Sequence, residues 1–271
     1  MPSKHVLNNF RTNRLPHIWC PGCGHGTLMK AVTTAIEELN LDRDKVVIVT
    51  GIGCSSRAGG YMNFSTLHTT HGRALAFATG IKLANPDLHV ITLMGDGDSS
   101  AIGGNHLIHA CRRNIDITAI VFNNTIYGMT GGQFSPTTPL DDKGTTAPFG
   151  NIDKPFDICK LAEGAGATYV ARSTAYHAKA MAGYVKKAIE HKGFSLVEGM
   201  SVCPTYYGRK NSKGAAPDMY RDLKDNYIDH KAADKLPPEK LVGKVFMGEF
   251  VNKIEPEYTQ VYQELIDRVK L

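Results

Sequence analysis

"HVITLMGDGDSS", residues 89 to 100, decides the fold. The first six residues are a strand-length run rich in β-branched side chains, and glycines and acids follow with no linker. A run that is mostly apolar at consecutive positions, here broken only by Thr92 after the leading His89, rather than apolar at alternate ones, marks a strand buried on both faces, as in a parallel sheet covered by helices. Helical spacing stands on either side, in "HGRALAFATGIKLA" from His71 and in "GGNHLIHACRRN" after the glycines. The alternation extends outward, with a helix over 24–39, strands "KVVIVT" at 45–50 and "ITAIVF" at 117–122, a helix from 174 and a strand "FSLVEGM" from 194. This order predicts an α/β, doubly wound, mostly parallel sheet. Residues 1–203 are expected to form one domain, with 204–271 a C-terminal extension whose one clear helix lies in "PEYTQVYQELIDRVK".

Composition narrows the classes. At 271 residues and 42% hydrophobic content the chain can bury a sizeable core. No apolar run approaches the roughly 20 residues that span a bilayer, and the polar start "MPSKHVLNNFRTNR" lacks a signal-peptide apolar region. The expectation is a cytoplasmic protein with no membrane contact. Six cysteines without a secretion signal read as thiols or metal ligands rather than as a disulfide framework. The net charge of +5 is modest, and the basic stretch "YYGRKNSKG" carries no nucleic-acid motif. It reads as a solvated surface or an attraction for an acidic partner protein.

Ligands in doubly wound sheets bind at the carboxyl ends of strands, and three glycine-rich stretches fall there: "GIGCSSR", "GDGDSSAIGG" and "NNTIYGMTGGQ". Gly95 and Gly97 allow close backbone approach, and Asp96 offers a hard oxygen. Alone, Gly-Asp-Gly is only a tight turn. Asn124, however, ends the next strand of the same βαβ unit, so a carboxylate and an amide oxygen would lie side by side. Magnesium takes six oxygens and shares them with phosphates; Asp96, the Asn124 side chain and the Ile126 carbonyl could supply three. Gly-Asp-Gly followed by paired asparagines under 30 residues on resembles the thiamine diphosphate motif. Asn123 is read as the structural member of the pair.

Cys20, Cys23, Cys54 and Cys203 all lie in glycine- or proline-containing loops, whereas Cys111 and Cys159 fall in helix-like segments and read as small buried hydrophobes. Four thiolates can hold zinc or an iron-sulfur cluster, and spacing does not decide between them. The neighbouring site favours a cluster. A thiamine-derived carbanion is electron-rich, and a cluster within reach could oxidise it one electron at a time, whereas zinc could only staple loops.

In order, "WCPGCGHG", "GIGCSSR", "HGRALAFATGIKLANP", "GDGDSSAIGGNHLIHACRRN", "NNTIYGMTGGQFSPTTP" and the later "CP" are similar to the beta subunit of the 2-oxoacid:ferredoxin oxidoreductases, the "IGGNH" form being most similar to 2-oxoglutarate-type members. The resemblance runs from about residue 10 to 211. It implies that Cys20, Cys23, Cys54 and Cys203 ligate a 4Fe-4S cluster and that Asp96, Asn124 and Ile126 bind magnesium. It implies thiamine diphosphate contacts from Ile52, Gly53, Cys54, Ser55, His71, Gly97, Asp98, Gly128 and Met129. The implied reaction is oxidative decarboxylation of 2-oxoglutarate with coenzyme A to succinyl-CoA and carbon dioxide, electrons passing to ferredoxin, with the reverse direction open. The same enzyme acting on pyruvate or a branched 2-oxoacid, and a non-catalytic zinc-stapled module, stand as alternatives.

One part is missing from the chain. Forming the carbanion needs an acid on a pyrimidine-binding domain, which the resemblance assigns to a separate alpha subunit, so the chain alone should not turn over. Arg57, three residues after Cys54, is a candidate contact for a substrate carboxylate or coenzyme A, since a guanidinium pairs bidentately with either carboxylate or phosphate. His71 is read at the start of a helix, facing a diphosphate. His106 and His109 read as locally bonded histidines, and Arg112 and Arg113 as complements to a helix dipole.

Overall fold

A computed structural model describes residues 7–270, so the first six residues of the polar start lie outside the described residues. The chain opens with helix α1 (His25–Glu38), strand β1 (Val46–Thr50), the short helix α2 (Ala58–Tyr61) and edge strand β2 (Ser65–His68). Next come α3 (Ala74–Ala84), β3 (His89–Gly95), α4 (Asp96–Ser100), α5 (Gly104–Arg112) and β4 (Thr118–Asn123). A small hairpin of β5 (Ile126–Tyr127) and β6 (Gln133–Phe134) leads to α6 (Ile158–Gly164), β7 (Tyr169–Thr174), α7 (Ala178–Glu190) and β8 (Ser195–Met200). The remainder holds α8 (Ala216–Asn226), β9 (Tyr227–Asp229), α9 (His230–Ala233), β10 (Val245–Asn252) and α10 (Tyr258–Val269).

Among the described residues the main sheet runs β2-β1-β3-β4-β8-β7-β10-β9. Its pairings are parallel except β7 with β10. The two faces alternate along each strand. Ile91 and Leu93 of β3 join Ile48, Ile120 and Val197 in a core closed by Leu28 and Val32 of α1 and Met181 and Val185 of α7. Val90 and Met94 turn the other way, onto Leu75 of α3, Leu107 of α5 and Ile158 of α6. Full burial of a side chain such as Leu28 contributes about 1.5–3 kcal/mol, and both faces need it, which is why the strands carry no polar stripe. The doubly wound, mostly parallel α/β architecture is the one the sequence predicts.

Three local readings differ, one of them the helix expected from 174, which starts at Ala178 after strand β7 ends at Thr174. Helix α3 starts at Ala74 rather than His71, because Gly72 takes a left-handed φ of 72° and His71 sits in the preceding turn. The Gly-Asp-Gly segment, read as a loop, winds at once into α4, whose first turn carries Asp96 and Asp98. Acids in a first helical turn face the unpaired N–H groups there.

Candidate active site

Because β3 and β4 are hydrogen-bonded neighbours with Gly95 opposite Phe122, the chain leaves both strands at one place. Asp96 is 3% exposed there, and its Oδ2 accepts from the Ser135 hydroxyl at 2.5 Å and the Thr137 hydroxyl at 2.8 Å. Burial pushes its carboxyl up to about 6, against the pull of those hydroxyls, so a cation beside it would relieve the cost of holding the charge. Across from it, Asn124 precedes a turn centred on Thr125 at φ 60°. The Thr125 N–H donates to Asn123 Oδ1 at 2.9 Å, and the Thr138 hydroxyl donates to the Thr125 carbonyl at 2.6 Å. That turn fixes where Asn124 and Ile126 sit.

The residues predicted to contact the cofactor (Ile52, Gly53, Cys54, Ser55, His71, Gly97, Asp98, Gly128 and Met129) line one cavity of about 300 Å³ together with Asp96, Asn124 and Ile126. Its volume is that of a small cofactor pocket. Asp98 Oδ1 accepts from the Gly72 N–H at 2.6 Å and faces His71 Nδ1 at 3.0 Å, while Oδ2 is buried with no hydrogen-bond partner. The cavity also takes in His25, Phe122, Tyr127 and Thr130. Tyr127 and His25 stand inside quoted motifs and were open to notice; Phe122 reads only as a strand residue. His25 is fully buried, pairs through Nδ1 with the Ser201 hydroxyl at 2.9 Å, and is lowered by burial to about 3, so it enters the wall as a neutral ring. The Tyr127 hydroxyl donates to the Gly97 carbonyl at 3.2 Å. Arg57 does not line this cavity; its Nε is buried with no hydrogen-bond partner among the described residues.

A second cavity, of about 230 Å³, is lined by Cys20, Cys23, Cys54 and Cys203. Gly22, at φ 78°, lets the Cys20–Cys23 loop fold tightly against the start of α8, where a Cβ would come within 2.3 Å of Ala216. The Trp19 indole N–H holds the Cys54 carbonyl at 2.7 Å. Burial and the neighbouring thiols push Cys23 up to about 12 and Cys54 up to about 11, so thiolates here require a metal's charge. Among the described residues the trio of His, Cys, Asp or Glu whose ligand atoms all lie within 4.8 Å of one another is Asp157, Cys159 and Glu198. No three of these four sulfurs lie that close together, whereas bonds of about 2.3 Å to a tetrahedral zinc would set all four about 3.8 Å apart. A four-iron cuboid, with one thiolate per corner, fits a wider set. Cys54, Asn124, Gly128 and Met129 form walls of both cavities. Cys111 and Cys159 lie apart, buried in the core under the opposite face.

Residues 51–199 match the family model described as "Thiamine pyrophosphate enzyme, C-terminal TPP binding domain". The chain is 53% identical over 265 residues to the 2-oxoglutarate synthase subunit KorB of Methanocaldococcus jannaschii, covering 98% of each chain. The chain belongs to the beta-subunit family of the 2-oxoacid:ferredoxin oxidoreductases. A beta subunit of that name from Saccharolobus solfataricus is 49% identical over 190 residues, covering 69% of this chain and 62% of that one. A solved 2-oxoglutarate:ferredoxin oxidoreductase from Magnetococcus marinus, with 2-oxoglutarate, coenzyme A and succinyl-CoA bound, superposes with a TM-score of 0.87 at 35% identity, covering 100% of this chain and 92% of that one. As a member of the family, the chain is a subunit of a thiamine diphosphate-dependent oxidoreductase. Among the described residues no helix is long and apolar enough to cross a membrane.

Proposed function

We propose that this beta subunit holds thiamine diphosphate through magnesium at Asp96, Asn124 and the Ile126 carbonyl, and a 4Fe-4S cluster at Cys20, Cys23, Cys54 and Cys203. With its alpha subunit it oxidatively decarboxylates 2-oxoglutarate, using coenzyme A, and sends the electrons to ferredoxin from a cytoplasmic location. One observation carries the reading: the cavity lined by the four thiols and the cavity lined by the acid-amide pair share the walls Cys54, Asn124, Gly128 and Met129. Electrons leaving one would cross only that shared wall to enter the other.

When bound, thiamine diphosphate supplies the carbanion that adds to the keto carbon and stabilises the charge left by carbon dioxide. The chain's own residues orient and insulate. Ser135 and Thr137 hold the Asp96 carboxylate toward the metal position, and Asp98 fixes His71 through Nδ1. Neutral His25 and Phe122, packed with ring centroids 5.4 Å apart, close one wall against water without adding charge. Arg57, on the short helical turn that follows Cys54, is proposed to reach a substrate carboxylate or coenzyme A once the partner completes the cleft. The buried, unpartnered Nε supports that reading, because a buried donor left unpaired is costly.

Assembly with the alpha subunit under anaerobic conditions tests the proposal. 2-Oxoglutarate-dependent viologen reduction should require both subunits, coenzyme A and magnesium; full turnover by the isolated chain would sink it. Arg57→Ala should raise the KM for 2-oxoglutarate or coenzyme A by about tenfold or more, the scale of one charge-assisted contact. Unchanged kinetics would remove Arg57 from the site.

A further inference from the structure

Behind the proposed metal site lies a buried polar chain to which no role has been given. Glu198, on β8, is 1% exposed. Its Oε1 accepts from Asn123 Nδ2 at 2.8 Å, and its Oε2 accepts from Arg172 Nε at 2.6 Å. The same guanidinium bonds the Asp157 carboxylate and, through Nη1, the Phe246 carbonyl of β10 at 3.1 Å. The Asp157, Cys159 and Glu198 trio is thus bound up with an arginine and is no cation site.

We infer that Glu198 is a positioning residue that sets the metal-binding turn by fixing which way the Asn123 amide faces. A carboxylate only accepts hydrogen bonds, so it can face only the NH₂ end of that amide. The carbonyl end must then point away, where it receives the Thr125 N–H at 2.9 Å and lies 3.1 Å from the Thr137 hydroxyl, whose one proton it shares with the shorter bond to Asp96. Both partners bear on the site: Thr125 is the left-handed residue between Asn124 and Ile126, and Thr137 also bonds Asp96. With the amide reversed, an NH₂ would confront the Thr125 N–H and the turn would lose its anchor. Arg172, held from Asp157 and from β10, keeps Glu198 in place.

The inference rests on the proposed magnesium ligands, so its test separates the two. In the assembled complex saturated with thiamine diphosphate, Mg²⁺ is titrated by calorimetry. Asp96→Asn should abolish Mg²⁺ binding; if it does not, the ligand assignment fails, and the positioning role with it. Glu198→Gln keeps the shape but offers an amide that can present either end to Asn123. It should weaken Mg²⁺ by about tenfold or more, as loss of an outer-shell partner does, with cluster absorption as in the unaltered complex. Mg²⁺ affinity within about twofold of the unaltered complex would overturn the inference on the same scale. If Glu198→Gln does not accumulate folded, Asn123→Ser shortens the link while leaving the Arg172–Glu198 pair intact, and the same two outcomes decide.

Discussion

At the scale of single residues, the site is a set of close approaches. Gly97 illustrates it: a Cβ there would lie 2.1 Å from the Tyr127 ring, whose hydroxyl is anchored on the Gly97 carbonyl. Gly97→Ala must push Tyr127 toward the cavity, an overpacking cost of about 1–3 kcal/mol. Thiamine diphosphate affinity should fall together with Tm; binding equal to that of the unaltered chain would show the ring free to yield. The cysteines, the Gly-Asp-Gly and the paired asparagines were legible in the sequence because chemistry restricts which residue types can do those jobs. Ser135, Thr137 and Glu198 were not, since hydroxyls and carboxylates are common and only the fold brings these three to Asp96 and Asn123.

At the scale of elements, legibility followed periodicity. The strands at 46–50, 89–95 and 118–123 read directly, because burial on both faces leaves runs dominated by apolar residues, and the strand at 195–200 reads so despite Glu198. Strand β7, "YVARST", is equally buried yet polar over its last three residues, since Arg172 is neutralised by Glu198 one strand away, a fact no local window contains. Strand β10 was hidden by Gly248 at φ 126° and by an irregular register beside Glu249. Helix α7 shows a further consequence of local packing. At its N-cap the His177 N–H donates to the Thr174 hydroxyl, which lies 2.8 Å from His177 Nδ1. Burial holds the ring below its usual pKa. Between the folded value and the unfolded one near 6.5, the unfolded chain binds the extra proton, so stability drops as pH falls below about 6.5. Tm should decline less between pH 7 and 5 in His177→Gln than in the unaltered chain; parallel declines would exclude the ring as a source.

At the scale of the whole molecule, the four loop cysteines come from Cys20, Cys23, Cys54 and Cys203, spanning most of the chain. A cluster held by all four would tie the loop before α1, the end of β1 and the end of β8 to one object, closing loops far longer than any local contact does. By analogy with a covalent cross-link, closing a loop of 100 residues or more constrains the unfolded chain by about 4–5 kcal/mol. For a chain of this size each kcal/mol moves Tm by about 2–4 °C, so stripping the cluster should lower Tm by roughly 10 °C or more. The comparison belongs between the anaerobically purified subunit and the same subunit after oxidative chelation, followed by calorimetry with iron and zinc quantified in both. Cys203→Ser should give the stripped Tm without treatment, because the remaining three sulfurs lie on the first quarter of the chain and no longer staple β8 to it. A Tm unmoved by stripping would mean that the cluster does not staple the fold; one mole of zinc in place of iron would mean that the sulfurs hold only shape and that the shared wall at Cys54 carries no electrons.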